Sequence, residues 1–138
     1  MSAAGAIVVV DTDALSFVLK EDPVRGPRYE AHLVGRRVVL TFAVVAELRL
    51  WAEERGLGPR RRAAIDAYVR SSLVLYPDDR LCTVWAEVVA EARRNGRAIH
   101  SHDAWNAAFA LFLRAPLVTH NTRHYAGVPS LVLLTEGD

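Results

Sequence analysis

Ala6-Ile7-Val8-Val9-Val10-Asp11-Thr12-Asp13 is the segment that decides how this chain folds. Its five apolar residues, 6–10, run without interruption, and most of them are β-branched. A strand with one wet face alternates polar and apolar side chains. An unbroken apolar run belongs instead to a strand covered on both faces, as in a parallel sheet. Asp11 follows with no spacer, so its carboxyl is held at the lip of that strand, where an acid has few packing uses.

Downstream the chain alternates in type. A helix is predicted over 14–20, then Pro23, Gly26 and Pro27 punctuate the chain before a helix over 28–34. Val38-Val39-Leu40 reads as a second buried strand. Thr41 can cap a helix over 43–55, whose Val44, Val45, Leu48, Trp51 and Ala52 keep helical spacing. Pro59 starts a helix over 60–71, and a third strand covers 73–76. Pro77 and Asp78 open a long helix to Asn95, with Leu81, Val84, Trp85, Val88, Val89 and Ala92 as its apolar stripe. Ser101 reads as the cap of a helix over 102–114, and Cys82 as a small packing residue. Strands over 117–119 and 130–134 complete the pattern. Strands alternating with helices imply a parallel sheet covered on both sides by right-handed crossovers. Ligands of such sheets bind beyond the carboxyl ends of the strands, which is where Asp11 sits.

Composition narrows the class. With 138 residues, 51% of them hydrophobic and 24% charged, the chain suits one ordered domain over 1–138. Cys82 is the single cysteine, so no internal disulfide forms, which fits a reducing compartment. Residues 1–5 lack basic side chains, and the run at 6–10 is too short for a leader or a membrane span. The expected location is cytoplasmic, away from membranes. Net charge is +1, which by itself announces no nucleic-acid binder. Lys20 is nevertheless the only lysine, and Arg36-Arg37, Arg60-Arg61-Arg62 and Arg93-Arg94 form local clusters. Arginine forks suit phosphate, although solvated surface explains such clusters equally well.

Three acids stand where the pattern points inward. Asp11 ends a buried strand. Glu47 lies beside the apolar stripe of its helix, where a lone charge must be paired or neutralised, and Arg49 or a distant arginine is one available partner. Asp103 falls in the first turn of a helix, where the dipole favours an anion. Asp13, two residues past Asp11, fits a capping role. Two carboxylates about 4 Å apart repel by roughly 1–4 kcal/mol at effective dielectrics of about 80 to 20. If the three converge, one protonates or a hard cation sits among them. Carboxylate ligands suit Mg²⁺ or Mn²⁺, which polarise phosphoryl oxygens and activate water.

The ordered motifs resemble a known family. Strand-Asp11-Thr12-Asp13, Val45-Ala46-Glu47-Leu48, Asp103-Ala104-Trp105 with Ala107-Ala108, Leu117-Val118-Thr119-His120-Asn121 and Thr122-Arg123-His124-Tyr125 together are similar to PIN-domain ribonucleases, in particular the VapC-type toxins of bacterial toxin–antitoxin pairs. The resemblance implies a three-layer α/β/α sandwich whose central, mainly parallel sheet has about five strands. It implies endonucleolytic cleavage of RNA with Mg²⁺ or Mn²⁺, a homodimer, and a small cognate antitoxin as partner. Asp11, Glu47 and Asp103 match the acidic metal ligands, and Thr12 and Thr119 match residues that orient ligands or water. The family often carries a further acid near Asn121 or at the position of His124, and neither is acidic here. Asn121 is expected to close that corner, itself or through water. The third motif usually reads Asp-x-x-Ile-Ala-Ala-Thr. Asn106 replaces its aliphatic residue and, one helical turn from Asp103, is expected to reach the site; Phe109 replaces its threonine.

Other chemistries fit less well. Asp11-x-Asp13 resembles the first motif of haloacid-dehalogenase-type phosphatases, but Leu15 stands where those carry Thr or Val, and Lys20 is too near to hold a phosphoryl group. Ser101-His102-Asp103 are consecutive and cannot relay a proton. Histidines 100, 102, 120 and 124 lack the accompaniment of a zinc site and read as loop and surface residues. A non-catalytic alternative retains the fold as an RNA-binding or partner-binding module.

Overall fold

The computed structural model describes residues 6–137. Residues 1–5, on which the absence of a leader was read, lie outside that range. Five strands form one sheet: β1 (Ile7–Val10), β2 (Arg37–Thr41), β3 (Leu73–Leu75), β4 (Leu117–Val118) and β5 (Leu133–Leu134). Their order is β3-β2-β1-β4-β5, and every pairing is parallel. β1 is therefore central, as its unbroken apolar run requires, and Val8, Val9 and Val10 are fully buried.

The pleat divides those valines between two cores. Val8 and Val10 face a cluster with Leu15, Tyr29, Leu33, Val44, Leu48 and Ile65. These come from α1 (Thr12–Leu19), α2 (Arg25–Leu33), α3 (Phe42–Glu54) and α4 (Pro59–Ser71). Val9 faces the opposite side, with Val88, Val89, Ala104, Ala107 and Ala108, from α5 (Asp79–Arg94) and α6 (Ser101–Leu113). Helices thus cover both faces of the sheet, giving the three-layer sandwich. Among the described residues no helix is long and apolar enough to cross a membrane.

Several boundaries differ from expectation for local reasons. α1 begins at Thr12, so Asp11 is its cap and accepts the Thr12 amide at 2.7 Å, while Asp13 lies in the first turn. α2 begins three residues early because Asp22 accepts the amides of Val24 and Arg25 at 3.0 and 2.7 Å. Pro27 is tolerated in its first turn, where an amide has no intrahelical partner. Ser101 is inside α6 and not its cap; His100 holds the cap position without a side-chain bond. The last strand shrinks to two residues because 128–131 closes as a turn, the Leu131 amide meeting the Val128 carbonyl at 3.2 Å. Cys82 is exposed and packs against no core cluster.

The topology fixes where a site can form. From β1 the chain builds β2 and β3 on one side and β4 and β5 on the other. The order reverses between β1 and β4, and a crevice opens beyond the carboxyl ends of those strands. Asp11 and Thr119 follow β1 and β4 directly, and Thr41 ends β2. A short 3₁₀ turn, η1 (Thr122–Tyr125), then crosses the α6 side of the crevice and places Tyr125 in the core.

Gly127 anchors that turn. Its carbonyl accepts Asn95 Nδ2 at 2.9 Å, and a Cβ there would overlap the Arg97 carbonyl and lie 2.9 Å from Ala92 Cβ. Gly127→Ala should destabilise the fold by about 1–3 kcal/mol, the usual result of overpacking. Urea unfolding checks this, and an unchanged midpoint would mean that the turn shifts freely.

Candidate active site

Asp11 is the most constrained side chain at the crevice, only 5% exposed. Four donors surround it. Oδ1 accepts the Thr12 amide at 2.7 Å and Asn106 Nδ2 at 3.2 Å. Oδ2 accepts the Tyr125 hydroxyl at 2.6 Å and the Thr119 hydroxyl at 3.2 Å. These donors come from α1, α6, η1 and the residue after β4. Asn106 is itself fixed, because its Oδ1 accepts the Thr41 hydroxyl at 2.6 Å.

Asp103 lies in the first turn of α6 and is 2% exposed. Its Oδ1 is 3.3 Å from the Tyr125 hydroxyl and from His102 Nε2. Its Oδ2 is buried with no hydrogen-bond partner, and His124 Nδ1 stands 3.3 Å away. Glu47 is half-buried on α3. The Thr12 hydroxyl donates to its Oε1 at 2.9 Å, and His102 Nε2 lies 3.7 Å from its Oε2. Asp13 accepts the Ala14 and His120 amides at 2.6 and 3.1 Å and is within reach of the Thr119 hydroxyl.

Asp11, Glu47 and Asp103 are therefore tied to one locus through shared neighbours: Tyr125 links Asp11 to Asp103, His102 links Asp103 to Glu47, and Thr12 links Glu47 to Asp11. Among the described residues none of these acids, nor Asp13, has an arginine or lysine within salt-bridge distance. Arg49, the partner considered for Glu47, pairs with Asp66 instead. Burial, then the charges of Asp13 and Asp103, push the Asp11 carboxyl from its ordinary 3.8 up to about 7. Burial and the same acidic surroundings hold the Tyr125 phenol far above its usual range, so it remains a donor.

That arrangement can be tested against a divalent cation. Oxygen-rich donors, a buried carboxylate oxygen without a partner and a cluster of acids that no lysine or arginine neutralises all suit one. The side chains are not already closed around a point: among the described residues no three His, Cys, Asp or Glu side chains form a ready metal group. The Tyr125 hydroxyl and the His102 ring stand among the carboxylates instead. The donor set fits a cation that draws these side chains inward.

Of the remaining predicted site residues, Thr12, Asp13, Thr119 and Asn106 all reach the locus. Asn121 does not. It is exposed, and its amide lies 3.0 Å from His124 Nε2 instead of on an acid. Sequence reasoning missed Tyr125, Thr41, His102 and His124 as site residues. Tyr125 and His124 sit in a polar loop with no periodicity; the signals for them were their place in the resembling segment and, for His124, a position where the family often carries an acid. Of the arginine clusters, Arg62 is occupied by Glu53 and by the Leu57 and Ala52 carbonyls. Arg36 precedes β2 and Arg37 begins it, at the opposite end of the sheet. A groove of 420 Å³ leaves the locus between α1 and α3, past Lys20, Leu50, Trp51 and Arg55. A larger cleft of 650 Å³ between α5 and α6 includes none of these acids.

Comparison with known proteins agrees with the fold. The family model of the PIN domain matches residues 8–128. The chain is 29% identical to ribonuclease VapC1 of Haemophilus influenzae over 126 residues, covering 91% of this chain and 94% of that one. A VapBC-1 structure from nontypeable Haemophilus influenzae superposes with a TM-score of 0.75 at 27% identity, over 94% of this chain and 97% of that chain. VapBC-5 of Mycobacterium tuberculosis, a member of the VapBC family of toxin–antitoxin systems, gives 0.66 at 25% identity, over 96% and 99%. With a parallel sheet in the order β3-β2-β1-β4-β5, acids at its carboxyl edge and a family match that spans both, the chain belongs to the PIN domain family.

Proposed function

We propose that this chain is a metal-dependent endoribonuclease and the toxin of a toxin–antitoxin pair, with Mg²⁺ or Mn²⁺ held by Asp11, Glu47 and Asp103. One observation carries the reading: the buried, unpartnered Oδ2 of Asp103 beside acids that no lysine or arginine neutralises. Relatives named as ribonuclease and as members of toxin–antitoxin systems support the substrate class and the partner. A bound cation would polarise a phosphoryl oxygen and lower the pKa of a bound water for in-line attack.

The chain's own residues divide the remaining work. Thr12, Asn106, Thr119 and Tyr125 fix the Asp11 carboxylate from four sides, so its orientation is set before substrate arrives. Thr12 also aims Glu47, the half-exposed acid nearest solvent. Asp13 is occupied with the Ala14 and His120 amides, which join α1 to the segment after β4, and so supports the floor of the site. The groove between α1 and α3 is lined by Arg55, by Glu54 and by Lys20, whose ammonium sits 5.4 Å over the Trp51 ring, and its two cations give an RNA backbone a point of attachment. Homodimerisation and capture of a small antitoxin belong to the same proposal.

Purified wild type should cleave single-stranded RNA with Mg²⁺ or Mn²⁺, and Asp11→Asn and Asp103→Asn should each lose activity by about a hundredfold or more. Gel-resolved cleavage of varied RNAs is the measurement. Equal, metal-independent behaviour of wild type and both variants, with RNA affinity retained, would instead identify a binding module. In cells, expression of the chain alone should arrest growth, and co-expression of a small neighbouring reading frame should relieve it. Relief that survives with an unrelated reading frame would argue against a cognate antitoxin.

A second prediction follows from the Asp11 proton. With a folded value of about 7 against an ordinary 3.8, the folded state holds a proton that the unfolded chain has released. The stability contributed is complete below about pH 4 and is lost as pH rises through about 7. Without divalent cations, the wild-type Tm should therefore fall over that window, and Asp11→Asn should flatten the fall. Added Mn²⁺ should restore stability at neutral pH in wild type only. Thermal melts followed by circular dichroism check this; identical slopes in both proteins would assign the effect to other groups.

A further inference from the structure

The corner that lacks an acid is occupied by an imidazole. His124 Nδ1 stands 3.3 Å from Asp103 Oδ2, the one buried side-chain oxygen without a hydrogen-bond partner among the described residues. Ligands at right angles around a cation with bonds of about 2.1 Å are roughly 3 Å apart. The two atoms are thus close to the spacing of neighbouring ligands on one ion. The turn that carries His124 is fixed by buried Tyr125 next to it and by the Asn95 bond to Gly127.

The ring has an outer partner as well. The Asn121 amide lies 3.0 Å from Nε2. Amide oxygen and nitrogen are interchangeable by a half-turn, and with Oδ1 facing the ring Asn121 accepts the Nε2 proton and leaves a lone pair on Nδ1 toward Asp103. Metal-bound histidines are held in this manner by a polar group on the far nitrogen. His102 is placed differently. Its Nε2 lies between Asp103 Oδ1 and Glu47 Oε2, at 3.3 and 3.7 Å, and its ring stacks on His100 at 5.9 Å. That position serves two carboxylates as a counter-group and leaves Oδ2 untouched.

We propose that His124 Nδ1 is a ligand of the cation at Asp103 Oδ2, oriented by Asn121, and that this nitrogen makes the site prefer Mn²⁺ to Mg²⁺. Imidazole suits first-row transition metals, whereas Mg²⁺ takes oxygen and keeps its waters. The inference rests on the proposed cation site and adds to it the identity of the fourth corner. It also gives Asn121 a defined role, as a positioning residue that acts through His124.

The test uses the purified full chain with Mn²⁺ and Mg²⁺ as probes, calorimetric affinities for each, and pulsed electron paramagnetic resonance of the Mn²⁺-loaded protein. Wild type should show ¹⁴N modulation from a directly bonded imidazole. His124→Asp should abolish that signal and lower the Mn²⁺-to-Mg²⁺ affinity ratio by about tenfold or more, while Asn121→Ala should weaken Mn²⁺ binding by about 10–100-fold. His124 is 44% exposed, so its replacement leaves the core intact; circular dichroism checks this. His102→Gln should retain the nitrogen signal. Loss of the signal in His102→Gln but not in His124→Asp overturns the assignment, as does bound Mn²⁺ with no nitrogen coupling in wild type, a result that leaves the carboxylate site standing. Failure of wild type to bind either ion overturns this inference and the proposed function together.

Discussion

The structure depends on solving one problem, a carboxylate at the end of the most buried strand. A lone charge in such a place costs several kcal/mol or more unless it is hydrogen-bonded or protonated. Asp11 meets four donors, and supplying them constrains much of the molecule. α1 must begin at once, so that the Thr12 amide is free. Asn106 must face the sheet from the middle of α6, steadied by Thr41 at the end of β2. Thr119 must follow β4 in register, and η1 must fold back to bring the Tyr125 hydroxyl inward. Even so, burial and neighbouring charge outweigh these donors, and the carboxyl remains far more basic than usual. The fold thus holds an acid cluster together without neutralising it, which is the condition a cation site requires.

How far the sequence revealed this follows from where each residue gets its position. β1 and Asp11 were legible because a continuous β-branched run has few alternatives, and the parallel sheet followed from its alternation with helices. Asp103 and Asn106 share a helix face by spacing alone. Glu47 could be placed beside an apolar stripe, but its actual neighbours, Thr12 and His102, depend on how α1 and α6 dock. Tyr125 was illegible, and His124 legible only as a position where the resembling family often carries an acid: the loop holding them has no period, and the direction of a 3₁₀ turn is decided by tertiary contacts at Asn95 and Gly127. Cys82 keeps helical spacing with Trp85 and Val89 and reads as a packing residue on that account, yet it stands at the margin of the stripe and is exposed.

Charge separates the two ends of the molecule. Acids gather at the carboxyl edge of the sheet, while Arg36, Arg37 and Arg70 line a recess at the amino edge. A polyanionic strand approaching the acidic edge meets repulsion unless a cation intervenes, and Lys20 and Arg55 beside the groove give it a separate point of attachment. Under the proposed function, metal and substrate then favour one another's binding, since each screens charge that the other would have to face.

The order in which the chain supplies its site residues has a consequence for synthesis. Asp11 and Glu47 lie in the first half of the sequence, Asp103 and Asn106 in its last third, and Thr119 and Tyr125 later still. β1, the centre of the sheet, has only β2 beside it until β4 is made. A chain emerging from the ribosome therefore carries Asp11 and Glu47 through the synthesis of residues 48–102 with no floor on which to set them. The acid cluster is assembled only when the final segments dock, so under the proposed function any cleavage comes late, at the moment the whole domain closes.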